Sequence, residues 1–264
     1  MTMTAYILLP IRIFLFFVFL FVIVPFGFIC KKLAPAFAYK AARFAHKYLY
    51  IISGLRINII GTPSKTAPTL FASNHVSYLD IPVLGYIVLC RFIAKSEVAA
   101  WPVFGFLSKL QNTIFIERKP AQSLEQKNEL LESIENKDNL VFFPEGTSSN
   151  GESVLPFKSS LFSITETAKK EGLHMLVQPV SIVLRKINGK PVTTEDRAIY
   201  AWYGDMTLVP HLLKVWQQKS IDVDVIFHEV LDPYSFENRK TLAHRAWEMV
   251  KLSVECGAST YSLP

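Results

Sequence analysis

Residues 13–30 carry no charged side chain and consist largely of Phe, Val, Ile and Leu. No other stretch restricts the fold so strongly. Eighteen helical residues reach roughly 27 Å, about the hydrocarbon thickness of a bilayer, and such a rod cannot sit bare in water. The segment either crosses a membrane or, kinked at Pro25 and Gly27, dips into one leaflet and turns back. A cleaved secretory signal fits poorly: the run is long, and Lys31-Lys32 follows it where a small-residue cleavage site belongs.

Residues 35–52 mix Phe37, Tyr39, Phe44, Tyr48, Leu49 and Ile51 with Lys40, Arg43, His46 and Lys47. That pattern predicts a basic amphipathic helix, lying in a membrane interface or docked on the domain that follows. No Asp or Glu precedes Asp80. Arg12, Lys31, Lys32, Lys40, Arg43, Lys47, Arg56 and Lys65 do, so the net charge of +6 belongs to the N-terminal part. Basic groups flanking apolar runs suit an anionic lipid surface, at about 1 kcal/mol each, better than nucleic acid. Their excess after the apolar run places the rest of the chain on the cytoplasmic face of the inner or plasma membrane. Mean hydropathy is +0.27, high for a soluble domain, while the charge content is too great for a polytopic membrane protein. Cys30, Cys90 and Cys256 lie far apart. They offer neither a disulfide framework nor metal spacing, and fit a reducing compartment.

The chain thus divides into a membrane-anchoring segment, 1–54, and a domain, 55–264. In the domain, strand-like runs (55–60, 68–73, 91–94, 113–116, 140–143, 175–183, 223–227) alternate with helical ones (80–89, 123–135, 160–170, 207–217, 236–254). Alternation of this kind predicts an α/β fold, one mixed sheet with helices on its faces. In the last helix Leu242, Ala246, Met249, Val250 and Ser253 share a face. Pro179 interrupts the run 175–183, which predicts an edge strand or a bulge there.

Candidate chemistry centres on Asn74-His75-Val76-Ser77-Tyr78-Leu79-Asp80, a turn between a strand and a helix. Imidazole is the usual general base at neutral pH. A carboxylate on its other ring nitrogen fixes the tautomer and stabilises the imidazolium that forms. Residues five apart do not share a helical face, so His75 must sit in the loop and Asp80 in the first helical turn. Ser77 is spaced from Asp80 as in a capping box. Further on, Arg118 ends the strand-like run Thr113 to Ile116; it is either a solvated end or a fork for phosphate or carboxylate. In Phe143-Pro144-Glu145-Gly146-Thr147 a strand breaks at proline. Gly146 permits close approach of a ligand, Thr147 can bind oxygens, and Glu145 can hold a hydroxyl or support the base. Lys158, before a helix, is a point charge for phosphate or an ordinary surface residue. There is no GxSxG elbow, no GxGxxG and no P-loop, and the histidines show no metal-ligand spacing.

Four of these stretches, His75-x4-Asp80, Phe115-Ile116-Glu117-Arg118, Phe143-Pro144-Glu145-Gly146-Thr147 and Val177-Gln178-Pro179-Val180, resemble in order and spacing those of the glycerolipid acyltransferases. Bacterial 1-acyl-glycerol-3-phosphate acyltransferases are the most similar branch. The resemblance covers residues 55–183 and, in general character, the N-terminal segment. It implies that His75, oriented by Asp80, deprotonates the hydroxyl of a lysolipid. The alkoxide then attacks the thioester of acyl-CoA or acyl-carrier protein without an acyl-enzyme, and 1-acyl-glycerol-3-phosphate yields phosphatidic acid. It implies acceptor binding by Arg118 with Glu145, Gly146 and Thr147, an acyl-donor role for the Pro179 motif, and no metal or redox cofactor. Membrane lipids and the acyl carrier are the implied partners, and nucleic acid is not. Two departures stand out: Ser148 where many members carry Arg, and Ser160 where many carry Gly after Lys158. Loss of a cation near the phosphate site bears on the acceptor, and a related branch that acylates lyso-ornithine lipid, which has no phosphate, has a turn similar to Thr147-Ser148-Ser149. That acceptor is the alternative, with a non-catalytic lipid-binding protein on the same fold a more distant one.

Overall fold

A computed structural model describes residues 3–33, 35–66, 68–101, 104–116 and 123–255. The chain opens with helix α1 (Met3–Val18), a π turn (Phe19–Ile23), α2 (Val24–Leu33) and α3 (Pro35–Ile52). The run 13–30 is therefore helical throughout. The irregularity expected at Pro25 falls one turn earlier, as the π turn, because proline offers no N–H and crowds the carbonyl four residues back.

The domain follows as β1 (Leu55–Ile60), β2 (Thr69–Ser73), α4 (Asp80–Ile87), β3 (Cys90–Lys95), α5 (Phe104–Leu110), β4 (Ile114–Ile116), α6 (Ser123–Glu135), β5 (Asn139–Phe142), α7 (Ser163–Lys170), β6 (Leu176–Ile187), β7 (Lys190–Pro191), α8 (Arg197–Tyr200), α9 (Leu208–Trp216), β8 (Ile221–Phe227) and α10 (Arg239–Glu255). The main sheet runs β1-β8-β6-β2-β5-β3-β4, with β7 folded back on β6. Strands β6, β2, β5, β3 and β4 are parallel; β8 is antiparallel to β6, and β1 parallel to β8. The predicted mixed α/β fold is what forms.

Alternation along the central strands fills two cores. Leu70, Ala72, Leu140 and Phe142 join a cluster with Leu130, Ile164 and the predicted face of α10. Phe71, Val141, Val180 and Ile182 join a second with Val83, Leu84, Val215 and Trp216, and there Leu9, Ile13 and Phe16 of α1 pack as well. Both carboxyl ends that matter here, those of β2 and β5, open on the same rim of the sheet.

Two expectations change. Pro179 lies in a central strand, buried and paired with Ala72, not at an edge. The bulge is real: Val180 faces Phe227 while Val177 bridges Leu231, so the partner segment carries one extra residue. Pro179 sits in that offset, where its carbonyl accepts from the amide of His228 at 3.1 Å and its missing N–H costs no ladder bond. Arg12 does not face a lipid surface. It is buried, donating through Nη1 to the carbonyls of Trp216 (2.9 Å) and Gln218 (2.6 Å) at the end of α9.

Candidate active site

The last residue of β2 hands the chain to a loop pinned from below. Asn74, buried, receives the amide of Ile182 on Oδ1 (2.7 Å) and donates through Nδ2 to its carbonyl (3.0 Å). That two-way bond fixes where His75 emerges. The loop then closes on Asp80, the first residue of α4, which is fully buried. Oδ2 of Asp80 accepts from His75 Nδ1 at 2.8 Å, from the amide of Val76 at 2.7 Å and from that of Ser77 at 2.9 Å. Only half of the expected capping box exists. Asp80 reaches back to the amide of Ser77, but its own amide bonds the Ser77 carbonyl, and Ser77 Oγ turns to Leu79.

With Nδ1–H donated to Asp80, the lone pair of His75 lies on Nε2. The imidazole is about one-fifth exposed and stacks on Phe143, ring centres 4.0 Å apart and planes 17° from parallel. Phe143 directly follows β5, so the ends of β2 and β5 meet at the ring.

Glu145 holds the same loop through its backbone. Its Oε1 accepts from the amide of His75 (2.6 Å) and its Oε2 from that of Leu155 (2.9 Å). Both oxygens are taken by backbone amides and the residue is buried, so Glu145 holds the loop that carries His75. Burial raises its carboxyl to about 7, against the two amides that favour the charged form. Gly146 turns with φ +72°, and the Lys158 side chain fills the space a Cβ would need. Lys158 and Thr147 are exposed beside this turn. Ser149 closes the rim by donating its amide to the His75 carbonyl at 2.9 Å.

His75, Asp80, Glu145, Gly146, Thr147 and Lys158 thus come together. Pro179 lies within the sheet, and Arg118 falls outside the described residues. Among the described residues no group of three or more His, Cys, Asp or Glu side chains is placed to hold a metal ion. One participant was not foreseen. Tyr200, fully buried, donates its phenol to Asp80 Oδ1 at 2.7 Å from 120 residues away, a distance at which no sequence spacing carries a signal.

A sequence model described as Acyltransferase matches residues 56–183. A lyso-ornithine lipid O-acyltransferase of Brucella abortus is 34% identical over 92% of this chain and 92% of its own. The chain belongs to the acyltransferase family that works on lysolipids. A 1-acyl-sn-glycerol-3-phosphate acyltransferase of Neisseria meningitidis is 31% identical to this acyltransferase over 77% of each chain. The crystal structure of the 1-acyl-sn-glycerophosphate acyltransferase from Thermotoga maritima superposes with a TM-score of 0.69 over 99% of this chain and all of that one, at 23% identity. Tyr200 lies beyond the matched family segment.

Proposed function

We propose that this acyltransferase esterifies lyso-ornithine lipid, using His75 as general base and an acyl thioester, acyl-CoA or acyl-carrier protein, as donor. Nε2 of His75 takes the proton of the lipid hydroxyl as its oxygen attacks the thioester carbonyl. The C–S bond then breaks, and the thiolate leaves with the proton returned by the imidazolium. A positioned base is worth about 10²–10⁴ in rate, and an already activated thioester asks little more than alignment. The reaction so written uses no metal or redox cofactor.

The observation that carries the chemistry is the buried Asp80, which holds Nδ1 and frees Nε2 on a ring wedged at the mouth of the sheet. For the acceptor, two facts agree: the near full-length Brucella relative, and Ser148 in place of a cation. This reverses the order of acceptors drawn from the motifs alone. Lysophosphatidic acid remains the second reading, favoured by the Neisseria relative and by Lys158 beside the turn. Arg118 and Thr147 are proposed acceptor contacts. Through its N-terminal helices the enzyme works at a membrane surface, its site on the cytoplasmic side.

Purified enzyme in detergent, offered either donor, should release thiol in the presence of lyso-ornithine lipid. His75→Ala should fold normally and lose at least about a hundredfold in kcat. Retained turnover refutes the base. Faster acylation of lysophosphatidic acid than of lyso-ornithine lipid returns the second reading.

A further inference from the structure

We propose that Tyr200 is a positioning residue for the catalytic base: through Asp80 its hydroxyl sets the orientation and basicity of His75. The inference rests on His75 being the base. Asp80 is fully buried, so its two oxygens depend on the donors packed around them. Three donors crowd Oδ2, all from the loop it closes, whereas Oδ1 accepts from Tyr200 at 2.7 Å. That bond holds the carboxylate plane against rotation, and it draws negative charge away from the oxygen facing His75.

The rest of the molecule is built to keep the phenol there. Tyr200 ends α8, a single turn bound on both sides. Arg197 of α8 donates to the Gly151 carbonyl at 2.7 Å, and the amide of Trp202 donates to the carbonyl of Val76, inside the catalytic loop, at 2.9 Å. His211 of α9 donates Nε2–H to the Ala201 carbonyl (3.1 Å), so its Nδ1 accepts from Tyr78 (3.0 Å). Burial first, then the charge of Asp80, raises the phenol well above its ordinary range, so it remains a donor at every working pH.

Titratable groups surround this pair: His75 and Tyr78 on the loop and Glu145 from the turn after β5, with Arg197 on the same helix as Tyr200 and His211 of α9 bonded to Tyr78. A control must therefore change one phenol and nothing else. Tyr200→Phe removes the hydroxyl bonded to Asp80. Tyr78→Phe removes another buried hydroxyl, one that bonds His211.

Losing Tyr200's bond leaves more charge facing the imidazole, which favours its protonated form. Tyr200→Phe should lower kcat about three- to tenfold with KM within about twofold, and move the acid limb of the pH–kcat profile upward by about half a unit. Tyr78→Phe should leave that limb in place. A Tyr200→Phe profile superposing on the wild type overturns the proposal, as does an equal displacement in both variants. Should Tyr200→Phe not fold, 3-fluorotyrosine placed at 200 alone keeps the packing and strengthens the donor. The limb must then move downward, and an unmoved limb refutes the role. His75→Ala separates the two readings. If it stays active, the base itself is wrong. If it is inactive while both Tyr200 variants behave as wild type, only the role of Tyr200 falls.

Discussion

Glu145 shows how a carboxylate can brace a site through the backbone. Each of its oxygens takes one backbone amide, and one of those belongs to the base. Glutamine at 145 keeps the shape but offers one acceptor and one donor, so either the amide of His75 or that of Leu155 loses its partner. Glu145→Gln should cost roughly 1–3 kcal/mol of stability, read by denaturant unfolding in detergent. The pH dependence has a definite sign. Burial raises the folded carboxyl from 4.5 to about 7. A group that binds its proton more tightly when folded stabilises at low pH, and that contribution drains away as pH rises from the lower value through the higher. Glutamine does not titrate, so the deficit of the variant should be largest below pH 4.5 and shrink as pH rises to about 7. A deficit that grows with pH would mean the folded carboxyl ionises below its unfolded value. At this scale the sequence was informative where neighbours in the chain are neighbours in the site. His75 and Asp80 share one turn, and proline and glycine mark the bend at Glu145. The direction in which Glu145 points, toward the amide of a residue 70 positions earlier, depends on β2 and β5 pairing in register. Tyr200 depends on a whole helix and loop arriving from beyond the sheet.

Elements were legible wherever burial and period agree. Candidate run 55–60 coincides with β1 and 123–135 with α6, while the other ends move by a few residues because terminal turns fray or tighten. The seven-strand order was not legible: runs of apolar residues say that strands exist, not which neighbours they choose. Arg12 was misread for a related reason. Its charge sits in an apolar helix, and sequence gives no hint that the end of α9, with its unsatisfied carbonyls, lies opposite. The guanidinium caps that end against the helix dipole, and it occupies the space beside Gly54, which turns at φ +73°. Leu9, Ile13 and Phe16, spaced on one stripe, complete the docking of α1, with Phe16 5.2 Å from Trp216. Replacing Arg12 by Leu leaves two carbonyls without a donor in a closed place. Roughly 2–3 kcal/mol should be lost, seen as an earlier thermal midpoint and as faster proteolysis of the N-terminal helices while residues from β1 onward resist. Unchanged midpoint and digestion would show that apolar packing alone docks the helix.

At the scale of the whole molecule, the apolar N-terminus poses a question of direction. The stretch Ala5–Cys30 is long and apolar enough to cross a bilayer, and only 11% of its most apolar window is buried. Length alone would make it a span. Its contacts argue otherwise. Near its start, Arg12 is clamped to α9; near its end, Gly27 faces Leu110 of α5. Alongside it, α3 returns, bonding through Tyr48 to the Leu15 carbonyl at 3.0 Å and through Arg43 to the Tyr86 carbonyl of α4 at 2.7 Å. A rod tied to the domain near both ends lies across that domain and cannot stand upright from it. What it offers outward is a stripe of Phe14, Phe17, Phe21, Val22, Phe26 and Ile29, all at least half exposed. An exposed apolar face of this kind suits a lipid contact, and at about 25 cal/mol per Å² its burial would hold the protein to one leaflet without crossing it. The full chain, tagged at both termini and expressed in sealed inverted vesicles, should therefore present both tags to added protease together. It should also float with vesicles after salt has stripped peripheral proteins. Protection of the N-terminal tag while the C-terminal one is cut would put the helix through the membrane, and would require the Arg12 clamp and the Gly27 contact to open in lipid.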